Sequence, residues 1–325
     1  MTLTEDFAQQ PGLDAARVDL RSPRSGPDQI FRMGLIACAS TALVVIVGIV
    51  YFLAKQALLS WNIFHLHLFT DAYSQTSRTF GILPDLVGSV VIALVALSFA
   101  APIALSTSLA INEYVPRSVR APLVSLVDLL AALPSLVYGL WGVQILDHQL
   151  HGTSLWLGRH ANFIPIFRLD GPQIGGGLFE AGIVVAIMVL PLMTSISREV
   201  MSQVPRIDCE AALALGGTRW GMITDVILPF SRNGIVGGAM LALGRALGET
   251  IAVSLILHNN SRITGHLLQG GGGAIAPHIV TNFQGSSALE KSALTFAGLT
   301  LFAVTLGINI GARVVLSQAR KAGGR

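Results

Sequence analysis

Six long apolar stretches constrain the fold of this chain more than any other feature of its sequence. A helix needs about 20 consecutive, mostly apolar residues to cross the hydrocarbon core of a bilayer. Charged residues make up only 12% of the chain, whereas a soluble domain carries roughly a quarter. So few charges cannot cover a water-soluble fold. We therefore predict an all-α membrane protein with six transmembrane helices, at residues 33–54, 86–111, 123–146, 178–197, 235–257 and 293–316.

The segments around these stretches predict a tail, a first helix and a core. Residues 1–32 mix prolines and glycines with charges of both signs, which favours a disordered cytoplasmic tail. The apolar run at 33–54 is too long for the apolar part of a signal peptide, so we expect it to be retained as a helix. Residues 86–316 then form the core transmembrane domain.

Three prolines lie inside predicted transmembrane helices. A membrane-spanning helix tolerates a proline when neighbouring helices satisfy the carbonyl that the proline frees. We therefore expect Pro102, Pro134 and Pro191 to interrupt their helices on faces that point into the bundle.

The basic residues predict the orientation, because Lys and Arg accumulate on the cytoplasmic side of a membrane. With the N-terminus inside, the cytoplasmic segments hold fourteen of the 21 Lys and Arg residues, the outer loops hold six, and Arg245 lies within a span. We therefore expect both termini in the cytoplasm. The same bias accounts for the isoelectric point of about 9.1 and gives no reason to invoke nucleic acid.

A short motif lies within residues 201–233, between the fourth and fifth predicted helices. It consists of a glutamate, two alanines and a glycine, followed downstream by a Leu-Pro pair: Glu210, Ala211, Ala212, Gly216, Leu228 and Pro229. The first part alone would suit any helix that ends at a glycine, and we expect Gly216 to adopt a positive φ there. With the Leu-Pro pair, the spacing resembles the EAA loop of bacterial ABC importer permeases. That resemblance implies a cytoplasmic helix pair that docks on a separate ATPase subunit.

An arginine and a glutamate lie inside the fifth predicted helix. A continuous helix places Arg245 about 15 Å deep in the membrane, where a lone guanidinium costs at least ~2.5 kcal/mol. Glu249 follows one turn later, on the same face, where it can partner the arginine. The pair either contacts substrate or forms a structural salt bridge between helices. Chemistry favours an anionic substrate, because the guanidinium fork matches an oxyanion such as phosphate.

Longer segments make the resemblance closer. Residues 228–235 and 243–253, together with 128–135 and 138–142, resemble the PstC-type subunit of phosphate ABC importers. The resemblance covers roughly residues 80–320, and the sister PstA-type subunit shares much of the pattern. It implies the type I ABC importer permease bundle, in which helices two to six form the shared core.

The resemblance also implies partners, a location and site residues. The expected complex contains a PstA-type permease, a dimer of PstB-type ATPase subunits that carry ATP and Mg, and an outer PstS-type phosphate-binding protein, in the bacterial plasma membrane. The family's intramembrane Arg and Glu correspond to Arg245 and Glu249. Asp128 either lies in the pathway or caps or pairs structurally within the third helix. We expect no cofactor on this chain.

Other classes of function remain as alternatives. An intramembrane enzyme needs a nucleophile with its base, or a set of metal ligands, and the sequence shows neither; it also lacks a Walker A pattern. A passive anion channel would not need a loop that docks on an ATPase. Within transport, another oxyanion such as sulfate or molybdate is the alternative substrate, because the sequence does not show how many donors meet the anion. We therefore expect a non-catalytic permease subunit for inorganic phosphate.

Overall fold

The computed structural model describes residues 26–65, 67–70, 73–74, 79–160, 176–257, 268 and 271–323. The first 25 residues of the predicted tail lie outside them. The chain divides into two compact units, residues 1–52 and residues 53–325. Within the described residues the fold is helical apart from one antiparallel pair of two-residue strands, in which Tyr73 faces Phe80 and Ser74 faces Thr79.

Three helices run into a π-helical turn, at Ala110–Tyr114, Gly142–Leu146 and Ile223–Ile227. In chain order the elements are α1 (Gly26–Phe64), α2 (His67–Thr70), β1 (Tyr73–Ser74), β2 (Thr79–Phe80), α3 (Leu83–Leu109), α4 (Arg117–Ala132), α5 (Ser135–Trp141), α6 (Asp147–His160), α7 (Leu178–Ser202), α8 (Arg206–Ala214), α9 (Arg219–Met222), α10 (Leu228–Leu247), α11 (Ile251–Ile256), α12 (Ile275–Asn282) and α13 (Ala288–Gly323).

The first helix is longer than the sequence predicts. It begins at Gly26, so the last residues of the expected tail are helical. Its side chains over residues 29–49 are mostly apolar and are exposed, as Val44 at 68% illustrates. In the second unit, its last turns are fixed to α13: the Ser60 N–H donates to Ser292 Oγ at 2.9 Å, and that hydroxyl donates to the Gln56 carbonyl at 2.7 Å.

Four of the six predicted spans correspond to unbroken helical segments long and apolar enough to cross a membrane, among the described residues, and a fifth segment, Arg219–Leu247, covers only the first part of the predicted span 235–257. The third predicted span is different, because Arg117–Ala132 and Ser135–Leu146 form a pair bent by 87°. The interruption expected at Pro134 is therefore present, and the third span is a bent pair of helices rather than one straight helix. The unbroken segments are Gln29–Phe64, Leu83–Tyr114, Leu178–Ser202, Arg219–Leu247 and Ala288–Val314.

The bend between α4 and α5 follows from Pro134. A residue before proline avoids helical dihedrals, and Leu133 accordingly has φ −63° and ψ 135°. The break frees carbonyls at the end of α4, and the Tyr138 hydroxyl donates to one of them, the Leu130 carbonyl, at 2.8 Å. The bend is thus stabilised from within the chain.

The pair α3 and α7 forms the centre of the bundle. Ala93, Ala96 and Ala100 on α3 are fully buried at helical spacing, and such small side chains let two helices approach closely. Near the end of α3, the Ser108 hydroxyl donates to the Thr194 carbonyl of α7 at 3.0 Å. The helices α4, α10 and α11 also pack against α7, so the candidate site residues are arranged around this helix.

Candidate functional site

Arg245 lies in the last turn of α10, which ends at Leu247. A cation is favourable there, because the C-terminal end of a helix carries partial negative charge. The side chain is exposed, and no carboxylate forms an ion pair with it among the described residues. Its positive charge lies close enough to the Tyr138 hydroxyl of α5 to interact with it electrostatically. The guanidinium is therefore available to a ligand or to another subunit.

Glu249 is not placed as the sequence predicts. The helix stops at Gly248 and a new helix, α11, begins at Ile251, so a continuous helix over 235–257 is wrong. Glu249 Oε1 accepts a hydrogen bond from the Ala252 N–H at 3.2 Å. A carboxylate is favourable at the start of a helix. Glu249 thus stabilises the break and does not form an ion pair with Arg245.

One face of α10 is exposed along its length. Gly237, Leu241, Gly244, Arg245 and Gly248 recur at helical spacing, and all are exposed or half-buried. The Leu241 side chain, for example, is 61% exposed. A stripe of small residues with one cation is suited to a polar pathway or to close approach of a second helix.

The glycines of α10 divide into two groups. A Cβ on Gly238 would lie 2.9 Å from Ile196 Cγ2 of α7, so this glycine permits close packing of the two helices. A Cβ on Gly237 or Gly244 would meet nothing within 4 Å. Those two glycines face space that this chain leaves open.

Asp128 lies on α4, where its side chain is exposed. Ser195 Oγ of α7 donates to Asp128 Oδ1 at 3.0 Å. This hydrogen bond joins α4 to α7, and one carboxylate oxygen still has capacity for another donor. Asp128 therefore has a structural partner and remains accessible, so both predicted roles are compatible with its position.

The motif with Glu210 folds as a helix, a glycine turn and a second helix. The helix α8 ends at Ala214, and Gly216 has φ +86°, as predicted. The Gly216 N–H donates to the Leu213 carbonyl at 3.0 Å and the Gly217 N–H donates to the Ala212 carbonyl at 3.1 Å. These two hydrogen bonds form a Schellman motif, which requires a left-handed residue.

The spacing of the motif has a physical explanation in one apolar cluster. Met201, Ile223 and Ile227 form the buried centre of that cluster, and Ala212 and Leu228 both pack against it. Ala212 of the motif and Leu228 of the Leu-Pro pair therefore pack against the same buried cluster, and this shared contact explains the spacing between them. Glu210, Ala211, Gly216 and Pro229 stay exposed.

The surface around this turn is unusually apolar. Leu215 is 90% exposed, Ile207 is 74% exposed and Trp220 is 65% exposed. Outside a membrane, exposed apolar patches mark sites of protein contact. The loop thus carries a surface suited to another subunit.

The sequence analysis missed a buried pair at the opposite end of α3. The imidazole Nδ1 of His278 on α12 lies against Asp85 Oδ2, and the side chains are 5% and 6% exposed. A Cβ on Gly273 would lie 1.7 Å from Asp85 Oδ1, and a Cβ on Gly88 would lie 1.9 Å from the Gly273 oxygen. We call these four residues the clasp, because they hold the segment before α12 against α3.

The comparison with protein families decides which family this chain represents. Residues 103–320 match the family described as "Binding-protein-dependent transport system inner membrane component". The chain belongs to this family. The match includes the 201–233 loop, Asp128, Arg245 and Glu249. Members of this family are permease subunits, and membership implies an ATPase and a binding protein as partners.

Relatives of known name match nearly the whole chain. The "Phosphate transport system permease protein PstC 2" of Mycobacterium tuberculosis is 37% identical over 305 residues, which cover 92% of this chain and 94% of the relative. The "Phosphate transport system permease protein PstC" of Xylella fastidiosa is 34% identical over 312 residues, with 94% and 95% covered. With its several membrane-spanning helices, the chain is a multi-pass protein of the bacterial inner membrane.

A solved structure shares the fold. The permease chain in "Inward facing conformations of the MetNI methionine ABC transporter" has a TM-score of 0.50 at 14% identity. The match covers 75% of this chain and 99% of that chain. The fold is therefore the type I ABC importer permease bundle.

Proposed function

We propose that this chain is the PstC-type permease subunit of an ATP-driven importer of inorganic phosphate. It forms half of the translocation pathway, with both termini in the cytoplasm. Its partners are a PstA-type permease, a PstB-type ATPase dimer and an extracytoplasmic PstS-type phosphate-binding protein. The names of the relatives supply the substrate class, and the basic residues of the loops support the orientation.

The observation that carries the proposal is the position of Arg245. The exposed guanidinium has no ion-pair partner among the residues that the structure describes, and it lies near the end of a helix beside open glycine surface. Arginine presents parallel N–H donors that match two oxygens of phosphate, which a lysine ammonium cannot do. Phosphate carries between one and two negative charges near neutral pH, so it gains from a cation placed at a helix break.

Glu249 and Asp128 have supporting roles in this proposal. Because the Ala252 N–H holds Glu249, this carboxylate stabilises the break that presents Arg245. It also places a negative charge near the path, which favours release of the anion over tight retention. Asp128 is an acceptor on the exposed side of α4, where its carboxylate can accept a hydrogen bond from a phosphate hydroxyl.

The loop with Glu210 is the proposed docking site for the ATPase. Its helix turn is fixed against the bundle by the apolar cluster, and its outer surface is apolar and exposed. Movement of a docked subunit therefore reaches α7 and α10 through packed side chains. ATP and Mg bind the partner, and this chain remains non-catalytic.

The test is phosphate uptake into proteoliposomes that contain the assembled transporter. We expect uptake only with internal ATP and the outer binding protein present. Uptake that proceeds without ATP would instead establish the passive anion channel. Uptake of sulfate or molybdate in preference to phosphate, with the same ATP dependence, would establish the alternative oxyanion importer.

A further inference from the structure

A second cationic region lies far from Arg245. A polar cavity of about 530 Å³ opens between the end of α3, the start of α4, the end of α7 and the helices α8 and α9. Ile227 lines this cavity. At a rise of 1.5 Å per residue, a straight helix from Ile227 to Arg245 spans about 27 Å. The polar lining of the cavity contains Arg117, Arg120, Arg206, Arg219, Glu113 and Asn112.

The charges in this cavity are unbalanced. Four guanidinium groups line it, and among the residues that the structure describes Glu113 is its single lining carboxylate. Three of these arginines form no ion pair with a described residue: Arg117, Arg206 and Arg219. The carboxylates of Asp208 and Glu210 lie close enough to raise the pKa of the Cys209 thiol, but they do not line the cavity. A net positive charge thus remains in a concave site of ligand-binding size.

One of the arginines is held in place. Arg120 donates to Asn112 Oδ1, and Asn112 Nδ2 donates to the Arg198 carbonyl of α7 at 3.0 Å. This chain of hydrogen bonds orients the Arg120 side chain through contacts with two helices. A freely solvated surface arginine needs no such support.

The positions of the other arginines add to the positive potential. Arg117 and Arg206 are the first residues of α4 and α8. Helix starts carry partial positive charge, and acidic residues are the favourable choice there. A general excess of cytoplasmic arginines does not require this arrangement, because arginines elsewhere in the loops would serve equally well. A bound anion relieves both the mutual repulsion and the unfavourable placement.

We propose that this cavity binds a phosphate-type oxyanion, supplied either as free inorganic phosphate or as the headgroup of an anionic phospholipid. The bound anion bridges the starts of α4 and α8, and so joins the loop with Glu210 to the bundle. This site does not depend on which substrate is transported. It is also separate from the pathway at Arg245.

Binding of inorganic phosphate to the assembled transporter tests the proposal. In nanodiscs of neutral lipid we expect the Arg117→Gln/Arg206→Gln variant to lose at least tenfold in affinity, because two charge-assisted contacts are removed. Arg232→Gln is the matched control, since Arg232 is an exposed arginine of the same loop region outside the cavity. Binding to an Arg245→Gln background isolates this site from the pathway, so a failure of the transport proposal leaves this test intact.

Cys209 lines the cavity and reports on its occupancy. In a Cys38→Ser background it is the sole thiol of this chain, and its alkylation is read on this chain after the subunits are separated. We expect phosphate to slow alkylation of Cys209 at least threefold relative to chloride at equal ionic strength, and the arginine double variant to abolish this protection. If anionic phosphatidylglycerol nanodiscs give protection without added phosphate, the headgroup is the ligand.

Two results would overturn the proposal. The first is no protection of Cys209 by either source together with phosphate affinity that Arg117→Gln/Arg206→Gln leaves unchanged. The second is equal loss of affinity in Arg232→Gln, because nonspecific attraction by surface charge then explains the binding.

Discussion

The two ends of α3 contrast sharply in how their polar and apolar groups are used. At its start, the clasp buries a carboxylate and an imidazole together and leaves no room for a methyl group at Gly88 or Gly273. At its end, Leu215 and Trp220 are exposed and four arginines line an open cavity. The groups at the first end pack against other residues of this chain, whereas the second end exposes surface that other molecules can bind. Substitutions at the two ends should therefore affect different properties, stability at one and association at the other.

The largest effect is expected at the clasp. Gly88→Ala places a methyl group against the Gly273 backbone, and a backbone oxygen cannot rotate away as a side chain can. We expect the free energy of unfolding to fall by about 1–3 kcal/mol. The measurement is the thermal unfolding midpoint of the purified chain in detergent.

Gly307→Ala is the matched control for that change. A Cβ on Gly307 would meet nothing within 4 Å, and the residue lies inside α13. Alanine is a better helix former by about 1 kcal/mol, so this variant should be neutral or slightly stabilised. If Gly88→Ala and Gly307→Ala melted alike, the clasp would not be the tightly closed end that we describe.

A smaller effect, on association, is expected at the glycine turn. Gly216→Val forces a β-branched residue into φ +86°, which costs roughly 1–2 kcal/mol. The Schellman turn should open, and affinity for the ATPase should fall about 5- to 30-fold. Pull-down of the ATPase with the purified permease measures this change.

Gly216→Asn separates backbone strain from lost contacts. Asparagine tolerates the left-handed conformation better than other residues with a side chain, and there is open space around position 216. We expect this variant to keep most of the affinity. Equal loss in the valine and asparagine variants would show that the positive φ is not what the ATPase contact requires.

The smallest effect concerns the thiol at the cationic cavity. Burial raises the pKa of Cys209, and the carboxylates of Glu113, Asp208 and Glu210 raise it further. Because the thiolate is the nucleophile, alkylation of Cys209 in Cys38→Ser should reach half its maximal rate at a pH above that of an ordinary free thiol. Glu113→Gln removes one cause, so the midpoint should move down and the rate near pH 8 should rise a few-fold. An unchanged midpoint would show that the Glu113 carboxylate does not affect the pKa of Cys209.

The type and approximate positions of the membrane helices could be predicted because about 20 consecutive apolar residues have few other uses. Continuity could be predicted at only one of the two breaks. Pro134 led us to expect an interruption in the third helix, whereas apolar length predicted one continuous helix across Gly248. A sharper signal was present there: a glycine shortly before Thr250, which is the N-cap of α11.

The candidate site shows the same limit. The sequence placed Arg245 and Glu249 together because they are four residues apart, but a three-residue break sends the carboxylate to a backbone amide. Asp85 and His278 meet only through the fold, so no local pattern could pair them. The motif at Gly216 was predictable because a glycine turn depends on neighbouring residues alone.

The central claim is that Arg245 contacts phosphate and does not serve as the partner of Glu249. The direct measurement is ATP-dependent phosphate uptake by Arg245→Gln, Glu249→Gln and the double variant in proteoliposomes, with assembly checked in parallel. We expect Arg245→Gln to abolish uptake with assembly intact, Arg245→Lys to restore little, and Glu249→Gln to be milder. The double variant should be as defective as Arg245→Gln, because the two side chains form no ion pair. Substantial recovery of uptake in the double variant would contradict the account and establish a structural salt bridge.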